Sequence, residues 1–109
     1  AVGVQLEEFS RISYAPLADV FHAIAPREKR HAELGIEGLQ KIILSTEGRA
    51  QARTAVAFWH PRVAATFGQA GSARYETLKK FGLRHRPNED LLADWMTRAA
   101  DTLTALDLR

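Results

Sequence analysis

The sequence contains no cysteine, a single methionine, four prolines and seven glycines among 109 residues. Without cysteine there is no disulfide, no thiolate nucleophile and no cysteine-based zinc or iron–sulfur site, and a reducing, cytoplasmic setting fits that composition. No apolar run approaches the roughly 18 residues that span a bilayer. The opening AVGVQLEEFS also lacks the charged lead and long apolar stretch of a secretory signal. A soluble chain with no membrane partner is expected. An excess of one charge is missing too: 15 Lys and Arg against 13 Asp and Glu leave +2, too little for the basic surface of a nucleic-acid binder. Glycine-rich phosphate loops, serine–histidine–acid spacings and aromatic-laced basic stripes are all absent, so nucleotide binding, nucleophilic catalysis and nucleic-acid recognition find no support. The chain starts at Ala1 with no Met, and the expectation is that its natural start was removed or lies upstream.

What is present is apolar spacing of one kind. It is helical nearly everywhere and nowhere alternates convincingly at period two, so the class is all-α and the expectation is a single domain over residues 1–109. Val2, Leu6 and Phe9 mark a first helix running to about Ser13, and Ser13 to Pro16 make a break because proline forces its predecessor out of helical geometry. A long segment follows from Leu17 to Leu44, interrupted only by Pro26. Ser45 or Thr46 caps a third helix that carries Ala52, Val56, Trp59, Val63 and Phe67, is kinked at Pro61 and stops at Gly68. Residues 72–81 form a short helix, and Asn88, Glu89 and Asp90 open a last one striped by Leu92, Trp95, Ala99, Leu103 and Leu106.

The second helix poses the chemical question. Projected at about 100° per residue, one face collects Leu17, Val20, Phe21, Ile24, Ala25, Ala32, Gly35, Ile36, Gly38, Leu39, Ile42 and Ile43, and in their midst Glu28 and His31. The opposite side holds Arg27, Lys29, Arg30, Glu33, Glu37, Gln40 and Lys41, a solvated face. Burying an unpaired charge costs several kcal/mol, so the two intruders require compensation. Three arrangements supply it. Glu28 pairs with an arginine or core hydroxyl while His31 stays neutral and hydrogen-bonded. Alternatively, the helix bends at Pro26 and leaves Glu28 partly exposed in a first turn. In the third, both ligate a metal, since a carboxylate and an imidazole at i and i+3 project side by side, the pattern of the di-iron and di-manganese centres of ferritin-like bundles.

Several local stretches resemble one family in order and spacing. "SYAP" at 13–16 is similar to its turn before the last ligand helix, "EKRH" at 28–31 to its second Glu-x-x-His, and "FWHP" at 58–61 to its aromatic-aromatic-proline element; "FG", "SAR" and "PNEDL" follow in the same order. From Ile12 to Leu106 the chain resembles the C-terminal half of the catalytic (A) subunit of ring-1,2-phenylacetyl-CoA epoxidases, ferritin-like di-iron monooxygenases of aerobic phenylacetate degradation. The resemblance implies a partial ferritin-like helical bundle, about half of the bundle plus C-terminal helices, with Glu28 and His31 as ligands of one iron. It implies an aryl-CoA thioester substrate, O2-dependent ring epoxidation, electrons from a separate reductase, and a structural ferritin-like partner subunit. The family's site takes two Glu-x-x-His pairs and two further carboxylates; this chain holds one pair. The position level with Glu28 on an antiparallel first helix is residue 1 or just before it, where no carboxylate stands, and Glu7 and Glu8 fall about 10 Å or more away along the axis. The rival expectation is a shortened, non-catalytic ferritin-like structural or interaction module that dimerises through its apolar helix face; a homo- or hetero-oligomer is expected in either case.

The remaining polar features read as surface or packing. His22 and His85 are expected at the surface and His60 in packing. Lys79, Lys80, Arg84, His85 and Arg86 form one basic cluster, either a solvated loop or a patch for coenzyme A phosphates or an acidic subunit.

Overall fold

The computed structural model describes residues 1–108. The described residues form five helices, α1 (Val2–Phe9), α2 (Ala15–Ile42), α3 (Thr46–Ala65), α4 (Ala73–Lys80) and α5 (Asn88–Ala105), and no strand. Their ends follow from local chemistry. Pro16 sits in the first turn of α2, where its missing N–H has no helical partner to lose. The Ser45 hydroxyl accepts a hydrogen bond from Gly48 N–H at 2.9 Å and opens α3, and Ser72 does the same for Tyr75 at the start of α4. At the α2–α3 joint a Cβ on Gly48 would lie 2.0 Å from the Ile42 carbonyl oxygen, so only glycine lets the two helices meet there. Gly82, at φ +70°, presses against Ser13, whose hydroxyl donates to the Phe81 carbonyl at 2.6 Å.

α2 does not break at Pro26. It runs unbroken for 28 residues, about 42 Å of helix, and α3 likewise runs through Pro61. Pro26 and His22, whose carbonyl loses its N–H partner to the proline, are both solvent-exposed.

Two small cores hold the helices together. Val4, Phe67 and Leu91 meet under Leu92 and Trp95, joining α1 and α5 to the end of α3. Ala52, Leu106 and Leu108 meet under Leu39, Ile43 and Leu103, joining the end of α2 to α3 and the C-terminal residues. Phe9 and Phe21 touch at a 5.3 Å ring separation and tie α1 to α2. The array is thin and extended, 51 × 29 × 17 Å, with a radius of gyration of 16.2 Å against about 13 Å for a compact chain of this length.

The polar anchor of this array is Glu8, whose side chain is wholly buried. One oxygen, Oε2, accepts from Arg84 Nε at 3.2 Å, His85 N–H at 3.1 Å and Arg86 N–H at 2.7 Å; Oε1 has no partner. Burial pushes the carboxyl pKa up, but the three donors and the Arg84 charge outweigh it and hold Glu8 below its ordinary 4.5. A carboxyl lowered in the folded state stabilises the fold above its ordinary pKa, and that stabilisation is lost as pH falls through the folded value. Glu8→Ala strands Arg84 and two N–H groups, and chemical denaturation should register a loss of about 3–5 kcal/mol. Glu8→Gln should flatten the acid limb of stability below pH 4.5; a limb as steep as that of the parent protein would mean that Glu8 does not govern it.

Candidate functional site

The apolar stripe of α2 is not buried within this chain. The one buried residue of α2, Ala18, lies outside the stripe, while Leu17, Val20, Ile24 and Ile42 are 37–53% exposed. The stripe divides lengthwise. Phe21, Ala25, Ile36, Leu39 and Ile43 are half-buried on the side toward α1 and α3, and Leu17, Val20, Ile24, Gly35 and Ile42 stand open. The solvated face is as expected, with Arg30 bridging Glu33 and Glu37 at 3.2 and 3.3 Å.

Between its contacts with α1 and α3, the middle of α2 overhangs a cleft of about 1130 Å³. Glu28 and His31 line it from α2, Ala1, Gly3 and Glu7 from the N-terminal side, and Val63, Trp95 and Arg98 from α3 and α5. Neither metal-site candidate is enclosed: the Glu28 side chain is 32% exposed and the His31 side chain 61%. Their Oε1 and Nδ1 lie 3.5 Å apart on adjoining turns, so both can address a single cation. No third group joins them. Glu7 shares the cleft, but both of its oxygens accept from Arg98 at 3.0 Å, and Arg98 also reaches Asp94 at 2.8 Å. Burial raises the Asp94 pKa, and hydrogen bonds from Arg86 and Arg98 more than reverse it, so the carboxyl sits below its usual range. His22 lines the same cleft, and still no set of three His, Asp or Glu side chains able to hold a metal exists among the described residues. The residues present therefore do not by themselves fit a di-iron centre.

The other expected positions resolve clearly. His60 packs on Trp95 at 4.9 Å, and Trp95 stacks in turn on Phe67 at 5.8 Å, so that histidine is a packing residue. Trp59 is 59% exposed rather than part of the α3 core, and Phe58 lies under the Arg62 guanidinium at 3.6 Å. His85 is exposed, and its Nε2 donates to the Arg11 carbonyl.

The basic cluster is not one continuous patch, because its two arginines are spent on different partners. Arg84 serves Glu8, the Arg86 carbonyl and Asn88 Oδ1, and Arg86 reaches Asp94 at 3.2 Å. Only Lys79 and Lys80 project freely, at the end of α4 where cations suit the helix dipole. The Glu8 anchor escaped sequence reading, since its three donors lie more than 70 positions away and two are backbone N–H groups with no side-chain signature.

No family model, curated protein or solved structure matches this chain. No helix among the described residues is long and apolar enough to cross a membrane.

The split of the basic cluster is directly measurable. Arg84→Ala should lower stability by about 3 kcal/mol or more, because Glu8 then stays buried without its countercharge. Lys79→Ala and Lys80→Ala should stay within about 0.5 kcal/mol of the parent. Equal effects in thermal melts would restore the view of one continuous patch.

Proposed function

We propose that this chain forms the C-terminal part of a ferritin-like di-iron monooxygenase of the phenylacetyl-CoA epoxidase type, acting on an aryl-CoA thioester. The observation that supports it is the placement of Glu28 and His31, side by side at the middle of a long helix, on the wall of an open cleft. In this reading further helices fill the cleft and bring the remaining carboxylates and the second Glu-x-x-His pair. Glu28 and His31 then supply an oxygen and an imidazole nitrogen to one iron. A structural ferritin-like subunit and a reductase complete the assembly. A second reading is a non-catalytic helical module, favoured by the lack of any third ligand among the described residues.

Metal analysis separates the two. The natural full-length protein, purified from iron-supplied cells, should retain iron, and Glu28→Ala or His31→Ala should remove at least half of it while far-UV circular dichroism is unchanged. Oxygen-dependent addition of one oxygen atom to phenylacetyl-CoA in the presence of a reductant should fall with it. A protein without iron, or one whose iron is indifferent to both substitutions, leaves the non-catalytic module.

A further inference from the structure

The open half of α2 has the spacing of a helix that pairs with itself. From Leu17 to Ile42 its seam positions succeed one another at alternating intervals of four and three residues. The mean period of 3.5 is that of a helix kept in register with a parallel or antiparallel neighbour. The seam is also symmetric. Each position i on it has a counterpart at 59 − i: Leu17 with Ile42, Ile24 with Gly35 and Glu28 with His31, and, at its half-buried edge where Phe21 also touches Phe9, Phe21 with Gly38. The centre of that symmetry lies within about one residue of the middle of α2, so an antiparallel pairing uses nearly the whole helix.

We propose that the open face of α2 is the docking surface for a second copy of this chain, paired antiparallel about a two-fold axis between Glu28 and His31. Size complementarity favours the register. A large side chain meets a glycine in the open Ile24–Gly35 pair, and at Gly35 an added Cβ would touch nothing within 4 Å, so the copy can approach closely there. Charge complementarity favours it as well. Each Glu28 carboxylate faces the His31 imidazole of the other copy, so the two polar intruders on an apolar face satisfy one another twice and oppose a register slip. A shift by one heptad would set Glu28 and His31 against Ile24 and Phe21 in one direction and against Gly38 and Gly35 in the other, leaving both unpartnered.

The extended shape leaves surface to cover: the protein exposes 7480 Å², whereas a compact monomer of 12.1 kDa exposes about 6,000 Å², and the open residues of α2 contribute to that surplus. This inference deepens the second reading, the non-catalytic module, and rests on it, because in the first reading added helices cover the same face; iron content tests that reading separately, since the seam needs no metal.

The experiment is run on the intact chain in a chelating buffer, so that its outcome is read apart from iron content. Light scattering after gel filtration should give twice the chain mass, and Gly35→Arg or Ile42→Glu should weaken the dimer at least tenfold with helicity unchanged. The chain has no cysteine, which makes cross-linking specific. The double variant Ile24→Cys with Gly35→Cys should form a covalent dimer on oxidation, and neither single variant should. A monomer at high concentration overturns the proposal, and so does a dimer in which Ile24→Cys alone cross-links, because that marks a parallel pairing.

Discussion

One buried carboxylate holds this array of helices in place. Glu8 lies on a helix of only eight residues, too short to persist in water on its own, so α1 exists because tertiary contacts hold it. Val4 supplies the apolar contact and Glu8 the directional one. Three donors converge on a single oxygen from consecutive residues, 84 to 86, and so fix the path of the chain immediately before α5. Arg84 then passes the constraint on, since its guanidinium also binds Asn88 Oδ1, while Asn88 Nδ2 donates to the Gln69 carbonyl. A single ion pair thus positions α1, the entry to α5 and the loop after α3 together.

That anchor is also what creates the cleft. With α1 clamped to α5, and with the far end of α2 clamped to α3 through Ile43 and Leu39, the 28 residues of α2 are supported at both ends and left free between them. Arg98 stiffens the opposite wall by gripping Glu7 on α1 and Asp94 on its own helix. Such exposed pairs add little stability individually. Their effect here is positional, because they take Glu7 out of reach as a ligand and leave Glu28 and His31 as the free acid and imidazole pair on the cleft wall.

Helix boundaries were legible in the sequence wherever a side chain or a backbone restriction acts within one turn. Ser45, Ser72, Pro16 and Gly68 mark ends that the structure places within two residues of expectation. Pro26 misled because the penalty for an interior proline is about 3 kcal/mol, a sum that contacts at both ends of a long helix can offset. Periodicity identified the apolar face of α2 correctly as a face, yet it carries no information about what lies against it, and half of that face meets only solvent. The basic cluster failed for the opposite reason. Charge counted along the chain suggested a patch, while the fold gave Arg84 and Arg86 to partners on α1 and α5.

The position of Glu28 and His31 sets a condition on whatever covers α2. On a surface open to water a carboxylate and an imidazole need no partner, and the isolated helix carries them at no energetic cost. Once the face is closed, the same groups lose hydration worth several kcal/mol unless a cation or a hydrogen-bond donor replaces it. An apolar surface alone is therefore a poor cover for the middle of this helix, although it suits both ends, where Leu17 and Ile42 stand. Any stable closure must be apolar at its ends and must deliver positive charge or donors at its centre. A metal brought by additional helices meets that requirement, and so does the imidazole of a second α2 running the other way.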